Sequence, residues 1–128
     1  MDVLEMYKQK NHFMTHNFIE PVKCKEDESE LKVELQEAGK NMSGYAHGGL
    51  FMTLSDCAAG LAARSDGRRY VTQNLNINFI SNITDGIICA RGKVISRGRT
   101  IVVVKVEIRN EKNRLLADAT ASMFCVDK

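Results

Sequence analysis

The chain has 128 residues, of which 44% are hydrophobic and 27% charged, with a formal net charge of +2. That composition excludes a disordered chain, and no stretch approaches the roughly 20 apolar residues needed to cross a bilayer. The small charge, with no long basic block, gives no reason to expect nucleic acid as a partner. A chain of this size buries about two-thirds of its unfolded surface and needs no covalent staples, so residues 1–128 read as a single domain. Cys24, Cys57, Cys89 and Cys125 form no C-x-x-C pair and sit in apolar stretches. Buried thiols in a reducing cytoplasm are the expectation. The start, Met1-Asp2-Val3-Leu4-Glu5, lacks the basic region of a secretory signal.

In chain order, residues 3–12 suggest a short N-terminal helix through Val3, Leu4, Met6 and Tyr7. Phe18 to Lys25 reads as a strand, and Pro21 within it suggests a sheet edge. Asp27-Glu28-Ser29 is a turn. Leu31, Val33 and Leu35 then alternate with Lys32, Glu34 and Gln36, the pattern of a half-buried strand paired in a hairpin. Ala38 to Ala46 is a polar loop. From Gly49 to about Arg64, Leu50, Leu54, Cys57 and Leu61 make a helical apolar stripe among small residues, and Ser65-Asp66-Gly67 ends the helix.

Four further strands follow. The first places Val71, Gln73, Leu75, Ile77 and Phe79 on one face and Thr72, Asn74, Asn76 and Asn78 on the other. The second runs through Ile88, Ala90, Gly92 and Val94, the third through Val102, Val104, Val106 and Ile108, and the last from about Leu115 to Val126. The short connections between them favour antiparallel neighbours. Two strands, one central helix and four strands fit an α+β fold in which a curved antiparallel sheet wraps one long helix. Ile101, Val103, Leu116 and Phe124 are expected to face outward, an apolar surface that an oligomer would cover.

The chemistry concentrates between Asn41 and Asp56. A Gly48-Gly49 pair opens the helix, where the first N–H groups lack intrahelical partners and the helix dipole adds positive charge. Without side chains, a ligand oxygen can approach those N–H groups, as an oxyanion site requires. The same pair can also be no more than a tight turn. Asp56 lies two turns into the helix among small residues, which suggests space kept for a ligand, although a lone helical aspartate is often merely solvated. His12 and His16 share a helical spacing but have no third ligand, so no metal site is expected. No nucleophile-elbow, dinucleotide or P-loop motif is present.

Asn41, then His47-Gly48-Gly49, then Asp56, continuing into Val71-Thr72, Leu75-x-Ile77-x-Phe79, Arg97-Gly98-Arg99-Thr100 and the strand from Ala117 to Phe124, resembles the PaaI-like (phenylacetate-type) branch of the hotdog-fold thioesterases. The resemblance covers roughly residues 38 to 126. It implies an acyl-coenzyme A thioesterase acting without a cofactor, as a homo-oligomer, a dimer or a dimer of dimers, whose sites straddle a subunit interface. The Gly48 N–H of one subunit would polarise the thioester carbonyl, and Asp56 of the other would act as nucleophile or general base. Asn41 would orient the water or carboxylate, Thr72 would hydrogen-bond beside Asp56, and His47 would shape the loop. Gly49, together with Arg97, Gly98 and Arg99 (the segment placed at the nucleotide end of coenzyme A), would bind substrate. Ser81 and Asn82 stand where the family often has a proline, which alters a loop near the coenzyme site.

Two other hotdog roles fit these residues less well. A regulatory acyl-coenzyme A sensor has no need of the Asp56 carboxylate. A dehydratase wants an Asp–His pair placed for proton transfer, and His47 with Asp56 does not have that spacing.

Overall fold

The structure is a computed structural model and describes residues 1–127; Lys128, the last residue of the expected domain, lies outside them. The N-terminus forms two short helices, α1 (Val3–Lys10) and α2 (His12–His16), instead of one. Asn11 makes the break. It ends α1, and its side-chain oxygen accepts the Met14 N–H at 3.3 Å to cap α2, a role suited to a short amide side chain.

A hairpin of β1 (Glu20–Lys25) and β2 (Glu28–Glu34) follows, then a 3-10 turn at Glu37–Gly39 and the long helix α3 (Gly48–Ala63). The chain finishes with β3 (Tyr70–Phe79), β4 (Ile87–Arg97), β5 (Ile101–Asn110) and β6 (Leu115–Cys125). The six strands form one antiparallel sheet in the order β1-β2-β4-β5-β6-β3. The sheet packs around α3, which makes this an α+β hotdog fold. Pro21 lies on an edge strand, as its missing N–H requires. Among the described residues no helix is long and apolar enough to cross a membrane.

The stripe Leu50, Leu54, Cys57 and Leu61 is buried, and so are Phe51, Ser55 and the run from Ala58 to Ala63. The helix is therefore enclosed nearly all round, which explains its small side chains. At Gly92 on β4 the approach is closest: a Cβ there would lie 2.7 Å from the Ala58 carbonyl oxygen. Ser29, which the sequence suggested as a turn residue, is buried in β2 and donates to that same carbonyl at 2.7 Å. The sheet face toward α3 carries Val102, Val104, Val106, Ile108 and, contrary to expectation, Leu116, all fully buried. Of the four residues expected outside, Ile101 and Val103 are half-buried and Phe124 is exposed.

Two bulges change the strand faces. In β3 the register shifts between Thr72 and Asn74, so Thr72 pairs with Met123 and Leu75 with Ala121. Directly opposed residues share a face, and Met123 and Ala121 both point into the core. Thr72 therefore joins Leu75, Ile77 and Phe79 on the helix side, while Asn74, Asn76 and Asn78 face out. The expected grouping of Thr72 with the three asparagines is corrected by this one extra residue. In β4 the register shifts between Val94 and Ser96, and Arg97 pairs with the buried Val102, which turns it inward as well.

Candidate active site

The sequence-derived residues fall into three groups along α3. The first lies at its N-terminus. His47 is the cap residue, and its Nδ1 accepts the Gly49 N–H at 2.8 Å. The Leu50 N–H is taken by the His47 carbonyl at 2.9 Å. Among the described residues nothing accepts the Gly48 N–H, which remains the open donor of the first turn. Because Nδ1 is occupied, it is not free to take a proton from substrate. The preceding loop is held from both sides. The Asn41 side-chain oxygen accepts the Ser43 and Tyr45 N–H groups at 2.9 and 3.1 Å. The Asn82 amide donates to the Ala46 carbonyl at 3.0 Å. Ser81 donates to the Leu115 carbonyl at 2.7 Å. Asn82 thus fixes the loop that presents Gly48, while Ser81 is tied to the start of β6.

The second group is at mid-helix. Asp56, half-buried, accepts a short hydrogen bond from the Thr72 hydroxyl. The bulge at Gln73 supplies this partner by turning Thr72 toward α3. The neighbouring Cys57 is no competing nucleophile. Burial, followed by the negative charge of Asp56, pushes its thiol up to about 12. The thiolate is the reactive form, so Cys57 is inert near neutral pH.

The third group closes the C-terminal end of α3. The Arg97 guanidinium pairs with Asp27 at 2.9 Å and Asp66 at 2.6 Å, and donates to the Ala62 and Ala63 carbonyls at 3.3 and 3.1 Å. This is a helix C-terminal clasp, with its donors already engaged. Burial alone would raise the Asp66 carboxyl. Hydrogen bonds from Tyr70 and Arg68, with the nearby Arg97 charge, hold it below the usual carboxylate range instead. Tyr70, buried and donating to Asp66 at 2.5 Å, is itself pushed up to about 12. The Gly98 and Arg99 carbonyls accept from Arg68 at 3.3 and 2.7 Å, and the Arg99 side chain is exposed.

A cleft of about 540 Å³ opens beside Asp56 and Thr72 and runs toward Arg64. Its other wall is α1, of which the sequence reading named no individual residue for the site. Tyr7 donates to the Cys57 carbonyl at 2.8 Å, and Asn11 reaches the Cys57 sulfur at 4.0 Å. Val3 and Tyr7 of α1 and its C-cap Asn11, spaced four residues apart, form one stripe toward the cleft. That spacing was the available signal, but nothing near it in sequence names its partner 50 residues away.

The Thioesterase superfamily matches residues 43–117, from the Gly48 loop through the start of β6. The chain belongs to that superfamily. A thioesterase from Haemophilus influenzae superposes with a TM-score of 0.89 at 26% identity, covering 99% of this chain and 92% of its own. A hypothetical thioesterase from Streptococcus pneumoniae, crystallised with coenzyme A, gives 0.82 at 30% identity over 86% of this chain and 90% of its own. The phenylacetic acid degradation protein PaaI of Thermus thermophilus shares the fold, with a TM-score of 0.83, 24% identity and coverage of 88% and 97%. As a member of the Thioesterase superfamily, the chain is a thioester hydrolase.

Proposed function

We propose that this thioesterase hydrolyses acyl-coenzyme A to the free acid and coenzyme A in a site shared by two copies of the chain. The observation that carries the reading is the separation of its two reactive features. The open Gly48 N–H and the Asp56–Thr72 pair lie eight residues apart on one helix, about 12 Å at 1.5 Å per residue. One thioester carbonyl cannot meet both within a single copy. A second copy, bringing its own α3 alongside, can supply the missing half. The outer edge of β3, the last strand of the sheet, supports such pairing: Val71 and Phe79 are each 54% exposed there.

In this reading Asp56 either takes a proton from the attacking water or attacks the carbonyl itself, forming an anhydride that water then opens. The Gly48 N–H of the other copy holds the oxyanion of the tetrahedral intermediate, and the carbon–sulfur bond breaks to release coenzyme A, whose sulfur takes up a proton. Thr72 orients the carboxylate. The Asn41 amide nitrogen is the group left to steer the water, since its oxygen shapes the loop. No step calls for a metal or redox cofactor.

The exposed Arg99, on the Gly98 turn, suits the coenzyme phosphates, whereas the committed guanidinium of Arg97 suits its clasp role. Two variant structures of the S. pneumoniae protein replace an aspartate and a threonine 16 positions apart, the separation of Asp56 and Thr72 here. On the outer sheet face, Phe124 pairs with both Val71 and Ile101, an apolar patch that favours a dimer of dimers in the cytoplasm.

The test is release of free thiol from a panel of acyl-coenzyme A compounds. The wild type turns over, and Asp56→Asn loses on the order of 10²-fold or more in kcat. Binding without thiol release by the wild type would instead make this a regulatory protein.

A further inference from the structure

The cleft beside Asp56 specifies what kind of acyl group enters it. Its floor is a single face of α3. Asp56, Gly60 and Arg64 stand four residues apart and line the cleft in a row about 12 Å long from first to last Cα. Val3, Met6 and Tyr7 of α1 form one wall, and Met123 also lines the cleft near Gly60. Tyr7 is seated against Gly60, where a Cβ would lie 2.8 Å from its hydroxyl oxygen. Its hydroxyl is spent on the Cys57 carbonyl, so the wall it offers is apolar.

The charges are unequal along this row. Asp56 is the one carboxylate lining the cleft, against Lys10, Arg64, Arg68 and Arg69. Arg68 is neutralised by Asp66 at 2.9 Å and Arg69 by Asp127 at 2.7 Å. Arg64 is different. Its guanidinium donates to the Tyr70 carbonyl at 2.9 Å, and among the described residues it has no carboxylate partner. A half-buried guanidinium with free donors at the end of an apolar-walled cleft is suited to an oxygen anion.

We propose that the enzyme prefers acyl groups carrying a distal carboxylate, with the thioester carbonyl at Asp56 and the carboxylate at Arg64. This rests on the reading of Asp56 as the reacting end. The short row fits a dicarboxylic acyl chain of a few carbons, passing beside the Tyr7 ring that covers Gly60, with its methylenes against α1. Lys10 at the rim adds a second positive charge that favours entry of an anion.

The experiment compares kcat/KM for matched pairs, butyryl- with succinyl-coenzyme A and hexanoyl- with adipyl-coenzyme A, in wild type, Arg64→Lys and Arg64→Gln. The wild type favours the carboxylated member by about tenfold or more, the worth of a charge-assisted hydrogen bond. Arg64→Gln brings the ratio to unity or below through KM, and Arg64→Lys keeps part of the preference. As a readout that needs no variant, free adipate inhibits the wild type at a concentration about tenfold lower than hexanoate does. Equal inhibition, or no preference in the wild type, overturns the inference while leaving the thioesterase intact. Failure to hydrolyse any thioester sinks both. An Arg64→Gln loss that is equal for both pair members and disappears with pantetheine thioesters would assign Arg64 to the coenzyme phosphates and overturn its role toward the acyl group.

Discussion

The two ends of α3 are finished in opposite ways. At the C-terminal end Arg97 reaches in from β4 to the Ala62 and Ala63 carbonyls, and its charge is shared by Asp27 and Asp66. At the N-terminal end His47 satisfies Gly49 and Leu50, yet the Gly48 N–H is left open. The part-exposed Gly48 N–H can be met by water, which a ligand oxygen can replace. In the proposed reaction the closed end of the helix serves the fold and the open end serves the ligand. Between them, the mid-helix Asp56 is reached by a threonine that only a bulge makes available.

Substitutions at the two ends separate these roles. Gly48→Pro should produce the largest effect. Proline deletes the N–H but is at home in the first position of a helix, and the preceding His47 has the extended ψ of 138° that a following proline requires. Its kcat should drop on the order of 10²-fold or more, as for a lost oxyanion donor, while the melting temperature stays close to wild type. Arg97→Gln should show the converse, a loss of about 2 kcal/mol in urea unfolding, below the cost of breaking a fully buried pair because the site is partly exposed.

The same clasp has a pH signature. Asp66 is held below its ordinary range, so its stabilising contribution is complete above the usual carboxylate pKa and is lost as pH falls through the lowered folded value. Arg97→Gln should therefore move acid unfolding to higher pH. Thr72→Val, which keeps the shape but removes the donor to Asp56, should lower kcat about tenfold, the worth of one hydrogen bond to a charged group. The smallest change is expected at Ser55, whose buried hydroxyl has no partner among the described residues. Ser55→Ala should gain about 1 kcal/mol in stability by removing it.

Much of this was legible in the sequence. The apolar alternation of Val102, Val104, Val106 and Ile108 gave β5 and its inner face directly, because its pleat runs without interruption where it lines the core. The small residues around Leu54 and Cys57 marked a helix that others approach closely. The faces of β3 were not legible. No glycine or proline flags the bulge at Gln73, and Val71, Gln73, Leu75, Ile77 and Phe79 read as one uninterrupted face until the pairing with β6 is seen. The clasp role of Arg97 was hidden for the same reason. In sequence it belongs to a turn with Gly98 and Arg99, while a register shift aims it at the end of α3. The individual α1 residues of the wall went unnamed because Tyr7 acts through a backbone carbonyl, which leaves no trace in side-chain pattern.

The shared site is tested most directly by subunit mixing. Asp56→Asn and Gly48→Pro chains, each nearly inactive alone, are combined under conditions of subunit exchange and assayed for thiol release. If each site takes Asp56 from one copy and Gly48 from the other, half of the dimers are mixed and each holds one intact site, restoring about a quarter of wild-type activity. No recovery, with exchange verified, would place both residues in the same copy's site and contradict the account.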